Sequence, residues 1–394
     1  MSSTDQPIRQ DSFALNAPLH TRQQLGRILH VINGEHFSGA ERVQDLLGKA
    51  LPDCGYSPGF VCLKEGKFPE QRESTDCPLF IEPMSSKMDL RRIRRISEIA
   101  REHDYQLVHA HTPRSLMVAR IVSRKIGVPL VYHVHSPVGR DSTRGLQNKL
   151  NQWIENWSLK QCHAMICVSG SLQEYMISNG HSQSQLHVVR NGVCSVNGLP
   201  QRSTPQGQWT IGTTALFRPR KGTELLIESL AALRQSGQDV KLLAVGPFET
   251  EEYENQIKSL ADELNVSEHI TWTGFQSNVN RYFQEMDLFV LPSLFGEGLP
   301  MVVLEAMANG VPVVASDVEG VVEAIRHEVD GLIFQPGSSP DLVSKVTEMV
   351  QGKHDWQSMR DNSIQRQRDS FSEFSMAAGV ANVYTQLLKG HLAK

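Results

Sequence analysis

The chain has 394 residues, 40% hydrophobic and 21% charged, and 39 Lys and Arg stand against 43 Asp and Glu for a net charge of −4. That balance excludes a global attraction to nucleic acid or anionic lipid, and the apolar content supports two domains at roughly 150 residues each. No run of about 20 apolar residues occurs, and the first residues are polar and carry acids early, so neither a membrane span nor a secretory signal is expected.

Six cysteines (Cys54, Cys62, Cys77, Cys162, Cys167, Cys194) show no C-x-x-C spacing and read as reduced thiols of a cytosolic protein. Residues 1–24 read as a disordered arm. Order begins at Arg27–Ile32, a short apolar strand stopped by Asn33-Gly34. Alternation follows: helix Ala40–Ala50, strand Tyr56–Leu63, helix Met88–His103, strand Leu107–Ala110, helix Ser115–Ile126 and strand Leu130–Val134. Helix Gly145–Cys162, strand Ala164–Val168, helix Ser171–Ser178 and strand Leu186–Val189 complete a first half over 25–195. Composition then shifts to Gly, Pro, Ser, Gln and Asn, which marks 196–208 as a linker.

The second half, 209–372, restarts the pattern with strand Trp209–Thr213, helix Thr223–Ser236, strand Val240–Val245, helix Glu251–Leu264, strand Ile270–Thr273 and helix Asn278–Gln284. Strand Leu288–Leu291 leads into Phe295–Ser316, which reads as glycine-rich loop, helix and buried strand, with Pro300 in the first helical turn. A short helix over Glu319–Ile325, a short strand around Gly331, and helices at 341–350, 355–368 and 373–389 finish the chain. Strands alternating with helices predict an α/β architecture of two doubly wound, Rossmann-like domains facing across a cleft. Ligands are then expected at the carboxyl ends of the strands.

Several residues in that cleft carry chemistry. Glu297 precedes the helix and Glu305 lies inside it; a carboxylate in so apolar a helix needs partners, either hydroxyls of a ligand or a neighbouring backbone group. The amides after Gly298 suit a phosphate at a helix start. Arg218-Pro219-Arg220-Lys221-Gly222 opens a helix after the first strand of the second half and offers cations for a diphosphate. Gly39, in the loop after the first strand, lets backbone approach a ligand or simply makes a tight turn. His109 with His111, and His133 with His135, lie at strand ends, each pair on one face. No paired carboxylates accompany them, so cleft-lining histidines are favoured over metal ligands, with buried core roles open for His109 and His133. His135 is expected at the substrate, titrating near neutrality. Arg91, Arg92, Arg94 and Arg95 make one helix basic and amphipathic, which fits a salt-bridged face better than a lipid-binding one.

These motifs together resemble glycosyltransferase family 4, whose fold is called GT-B, over about residues 27 to 388. The resemblance is carried by E-x7-E at Glu297 and Glu305 within SLFGEGLPMVVLEAMANGVPVVAS, and by SGAER at Ser38–Arg42. VHAHTPRS at Val108–Ser115, VYHVHSP at Val131–Pro137, RPRKG at Arg218–Gly222 and WTGF at Trp272–Phe275 add to it. It implies metal-independent, retaining transfer of a sugar from a UDP- or GDP-sugar to a saccharide or lipid-linked acceptor. No resident cofactor and no nucleic-acid partner are implied, and peripheral contact with the inner membrane face stays open. It further implies that Glu305 holds the ribose and that Glu297 and His135 meet the donor sugar. Lys221 and Arg218 or Arg220 would hold the diphosphate with the amides of Gly298, Leu299 and Met301, and Gly39 would approach donor or acceptor. Residues 373–394 are expected to cross back onto the first domain. The sequence departs from the family pattern at Leu216, where an arginine is usual, and at Val318-Glu319-Gly320, where a glycine pair is common. Gly246-Pro247-Phe248 is also poorer in glycine than usual. A nucleotide-sugar 2-epimerase of the same architecture and a non-catalytic sugar-nucleotide-binding homologue are the alternatives.

Overall fold

A computed structural model describes residues 24–86, 89–136 and 157–392. The expected arm through residue 23, and the expected helix Gly145–Cys162 through residue 156, lie outside the described residues.

The short apolar runs form parallel strands buried on both faces, as their lack of alternation dictates. In the first half these are β1 (Gly26–Ile32), β2 (Tyr56–Cys62), β3 (Leu79–Ile81), β4 (Leu107–Ala110), β5 (Leu130–Val134), β6 (Ala164–Cys167) and β7 (Leu186–Val188). Helices α1 (Gly39–Ala50), α2 (Lys67–Gln71), α3 (Leu90–Glu102), α4 (Pro113–Ile126) and α5 (Gly170–Ser178) connect them. The second half has β8 (Trp209–Thr214), β9 (Val240–Val245), β10 (Ile270–Trp272), β11 (Leu288–Leu291), β12 (Val313–Ser316) and β13 (Gly331–Phe334). Its helices are α6 (Thr223–Gln235), α7 (Glu251–Glu263), α8 (Asn280–Glu285), α9 (Met301–Ala308), α10 (Val321–Ala324), α11 (Ser339–Val350) and α12 (Trp356–Ser370), and α13 (Glu373–Leu392) ends the chain.

The sheets run in the orders β3-β2-β1-β4-β5-β6-β7 and β10-β9-β8-β11-β12-β13, with every named pair parallel. Strand order therefore reverses between β1 and β4 and between β8 and β11. Those switch points open crevices at the carboxyl ends of the strands.

Local chemistry sets most boundaries. Thr112 caps α4 by accepting from the Ser115 amide at 3.2 Å, and Gly127 ends it in the left-handed region at φ 75°. Two elements escape a periodicity argument because they are too short to show a period: α2 has five residues and β3 has three. Pro300 also sits differently from expectation. Its ψ of 117° is extended, so it is the cap before α9 and not a residue of the first turn.

The segment between β7 and β8 carries no regular element, yet it is tied down. The Arg202 guanidinium pairs with Asp287 and donates to the Met286 carbonyl at 2.6 Å, and Arg360 donates to the Pro200 carbonyl at 2.9 Å. The chain crosses between the halves a second time where Val193 pairs with Ser372, and α13 then packs on the first half. There the buried Tyr384 hydroxyl meets His109 Nδ1 at 2.6 Å, and Tyr56 meets Thr385 at 2.7 Å. Replacing Tyr384 by Ala should lower unfolding free energy by about 3–4 kcal/mol, as for other large buried side chains. Tyr384→Phe should cost only about 1 kcal/mol for the lost hydrogen bond. Urea denaturation followed by circular dichroism reads both.

Candidate functional site between the two sheets

The loop Phe295–Pro300 is held at the carboxyl end of β11, facing the first half. Its shape comes from polar groups tying down its backbone. The Glu319 carboxylate, from the residue where the sequence departs from a glycine pair, accepts from the Gly296 and Glu297 amides at 2.9 and 3.1 Å. Glu319 holds φ at 23°, and the Gly320 amide beside it donates to the Glu297 carbonyl at 3.1 Å.

Glu297 is buried and ionised among donors. Its Oε1 accepts from Lys221 Nζ at 2.5 Å and from the Ser293 hydroxyl at 2.7 Å, with Arg220 Nη1 at 3.6 Å. Burial pushes this carboxyl up, but Lys221, Arg220 and Ser293 outweigh it and hold it below the usual carboxylate range. Of the RPRKG turn, Arg220 therefore joins Lys221 at the loop, donating also to the Phe295 and Gly296 carbonyls, each at 3.3 Å. Arg218, the other arginine of the turn named for the diphosphate, faces Glu249 at 3.5 Å. The turn works because Gly222 adopts φ 67° and lies so close to the Pro292 carbonyl that a Cβ would stand 2.1 Å from its oxygen.

Glu305 lies one helical face away, buried on α9. Its Oε1 pairs with the Arg42 guanidinium, which reaches across from α1 of the first half. Burial works against the charge on Arg42, and Glu305 more than restores it. Glu305 Oε2 is buried with no hydrogen-bond partner among the described residues. The residue borders a cavity of about 290 Å³ between the halves, lined also by Phe37, Arg42, Asn280 and Asn309.

The halves meet closely around this loop. A Cβ on Gly298 would stand 2.1 Å from the His135 carbonyl oxygen, so only glycine admits that approach. Asn191 donates to the Leu299 carbonyl at 3.0 Å, Glu323 accepts from the Ser171 amide at 3.0 Å, and Lys67 sits 5.2 Å over the Phe275 ring. Leu299 and Met301 are buried with their amides at the start of α9, where Pro300 has none to offer. Gly39 is exposed at the first turn of α1, and no protein atom lies within 4 Å of where its Cβ would be; the protein's own packing does not demand glycine there.

On the opposite wall the two His-x-His pairs form one stack with His30, which sequence reasoning did not single out. Ring centroids lie 4.2 Å apart for His109–His111, 4.5 Å for His133–His135 and 5.2 Å for His30–His111. His30, His109 and His133 are fully buried, His111 nearly so, and His135 is half-buried at the edge. The expectation that His135 titrates near neutrality is corrected: burial among other rings pushes it down to about 4. Among the described residues, His30, His109 and His111, and likewise His111, His133 and His135, are close enough for one nitrogen of each to meet an ion. The signal for His30 was its place in β1, paired in register with His109.

Three roles were thus invisible in the motifs alone. Arg42 belongs to the SGAER run without its partner being legible, Glu319 looked like a lost glycine, and His30 stood alone in its strand.

Because folded histidines here hold pKa values below the unfolded 6.5, the unfolded chain binds more protons as pH falls. Stability is then complete above about pH 6.5 and drops as pH falls from there toward 4. A thermal melt at pH 5 should start well below one at pH 7.5, and His30→Phe should flatten part of that difference.

Two family models match the chain, one described as glycosyltransferase family 4 over residues 37–195 and one as glycosyl transferases group 1 over 199–368. An Escherichia coli UDP-Gal:α-D-GlcNAc-diphosphoundecaprenol α-1,3-galactosyltransferase is 21% identical over 83% of this chain and 88% of its own length. A Mycobacterium leprae phosphatidyl-myo-inositol mannosyltransferase is 26% identical over 63% and 64%. Among solved structures, Anabaena HepE in complex with UDP superposes with a TM-score of 0.79 at 21% identity, covering 92% of this chain and all of that one. Sucrose-phosphate synthase from Thermosynechococcus elongatus does so at 0.76 and 20%, covering 94% and 100%.

Proposed function

The chain belongs to glycosyltransferase family 4 and has the GT-B fold, and on that premise we propose that it transfers a sugar from a UDP- or GDP-sugar to a saccharide or lipid-linked saccharide acceptor. The reading includes retention at the anomeric carbon and no catalytic metal. The observation that carries it is Glu305, which lines the 290 Å³ cavity between the halves and whose Oε2 is a buried acceptor without a partner among the described residues. A buried carboxylate oxygen in that position suits the vicinal hydroxyls of a ribose. UDP in the Anabaena neighbour and UDP-Gal in the name of the E. coli relative support a uridine nucleotide first.

In this reading the diphosphate lies against Lys221, Arg220 and the amides of Leu299 and Met301, and the sugar faces His135. Lys221 exchanges part of its pairing with Glu297 for phosphate oxygen. Glu297, held ionised, is left to accept from sugar hydroxyls. The acceptor hydroxyl forms its bond to the anomeric carbon on the face from which the phosphate oxygen departs. The bonding pair leaves with that oxygen, which also takes the hydroxyl proton, while Lys221 and Arg220 stabilise the new negative charge. Closure of the two halves around the site excludes water. No carboxylate is assigned as a covalent nucleophile. No helix among the described residues is long and apolar enough to cross a membrane. In this reading a lipid-linked acceptor is met at the membrane surface from the cytoplasmic side.

Lys221→Ala should reduce kcat by about a hundredfold or more, the scale of a lost transition-state charge contact. Glu305→Ala should raise the donor KM with a smaller change in kcat, because the ribose is bound alike in ground and transition states. A thermal-shift screen of UDP-, GDP- and ADP-sugars should raise the melting point for one base. A donor present at 100 times its Kd adds about 2.7 kcal/mol of stability. Full transfer activity in both variants would remove this site assignment.

A further inference from the structure

Three of the stacked histidines are joined edge to edge. His30 Nδ1 lies 2.9 Å from His111 Nε2, and His111 Nδ1 lies 3.3 Å from His135 Nε2. Both nitrogens of His111 are therefore engaged. His111 is common to both histidine triads, so an ion in either would have to break this column. His135 ends the column on the other side and is half-buried, where His30 at the first end is fully buried.

Burial keeps all three rings neutral at physiological pH, pushing His30 down to about 3, His135 to about 4 and His111 well below the usual value. A neutral imidazole has one N–H and one acceptor nitrogen. Three such rings in a column can satisfy both hydrogen bonds in two ways only. Either all carry the proton on Nδ1, so that His30 donates to His111 and His111 donates to His135. Or all carry it on Nε2, with donation running the other way.

The two arrangements differ at the blind end. His30 Nε2 is buried with no partner among the described residues. The second arrangement would bury an unpaired N–H there; the first leaves only an unused acceptor. As with backbone groups, an orphaned buried donor is the rarer of the two.

We infer that His30 and His111 are positioning residues that hold His135 in its Nδ1–H form, so that the first half presents a neutral, fixed hydrogen-bond donor to the sugar. This rests on the placement of His135 at the donor sugar. An isolated neutral imidazole in water favours Nε2–H, so the Nδ1–H form is a signature of the column and not of the ring itself. The chain needs no proton transfer through the column; its work is to fix which edge of His135 faces the substrate and with what polarity.

Long-range proton–nitrogen NMR of the full chain at pH 7.5 tests this. Wild type should show His135 as a single Nδ1–H form. His111→Phe and His30→Phe should shift it toward Nε2–H. They should lower kcat about tenfold or more, the scale of a lost orienting partner, with donor KM within about twofold. His111→Gln, whose amide can accept from His30 and donate to His135, should restore both the signal and most of the rate. An Nε2–H form in wild type, or an unchanged Nδ1–H signal in both Phe variants that remain folded, would overturn the inference alone. One equivalent of zinc held tightly enough to survive dialysis would also overturn it, since the column could not then be intact. Full activity of His135→Phe would remove the placement of His135 at the donor, and the inference with it.

Discussion

A carboxylate placed out of water must be answered by charge, and this site is arranged around that requirement at Glu297. The acid is buried, so it demands compensation; Lys221 and Arg220 supply it from the turn after β8, and Ser293 adds a hydroxyl. That demand fixes the turn, the turn fixes Gly222 against the Pro292 carbonyl, and the carboxyl end of β11 is thereby locked to that of β8. The loop ahead of α9 is then shaped by a second acid, Glu319, whose oxygen occupies two of its amides. Lys221 and Arg220 are thus kept in place by an acid of the protein itself.

The same logic extends across the cleft. Glu305 is buried and its charge is answered by the half-buried Arg42, so their pairing links α1 of the first half to α9 of the second. Around it, Asn191 and Ser171 make short polar contacts with the opposing half, and the backbone of His135 passes close to Gly298. These polar contacts lie beside an apolar cluster that runs through residues of both halves, Leu172 and Val193 with Leu299 and Met301 among them.

Much of this was legible in the sequence. Strand and helix existence followed from apolar runs and turn residues, because a parallel sheet covered on both faces leaves an unambiguous signature. The glutamate pair and the RPRKG turn stood out because charges inside apolar surroundings need a reason. What could not be read were pairings between distant segments. Nothing in SGAER says that Arg42 will meet Glu305, or that Arg220 will take the position at Glu297 while Arg218 turns to Glu249. The titration of His135 was misjudged for a similar cause: the local sequence shows a histidine at a strand end, but its pKa depends on its burial beside the rings of His111 and His133. Pro300 shows the limit of propensity, since both a cap and a first turn suit its fixed φ and only the neighbouring contacts decide.

The docking of α13 has a consequence for how the molecule is made. The first half begins at β1, yet the ring that closes its histidine layer, Tyr384, lies on α13, after the whole second half. During synthesis the first sheet leaves the ribosome and can collapse while that ring has not been translated. Its interior stays open on one side until the second half has formed and the final helix is released. Completion of the first half is therefore tied to synthesis of α13, and a product cut between the second half and that helix would lack a wall of the half that it contains in sequence.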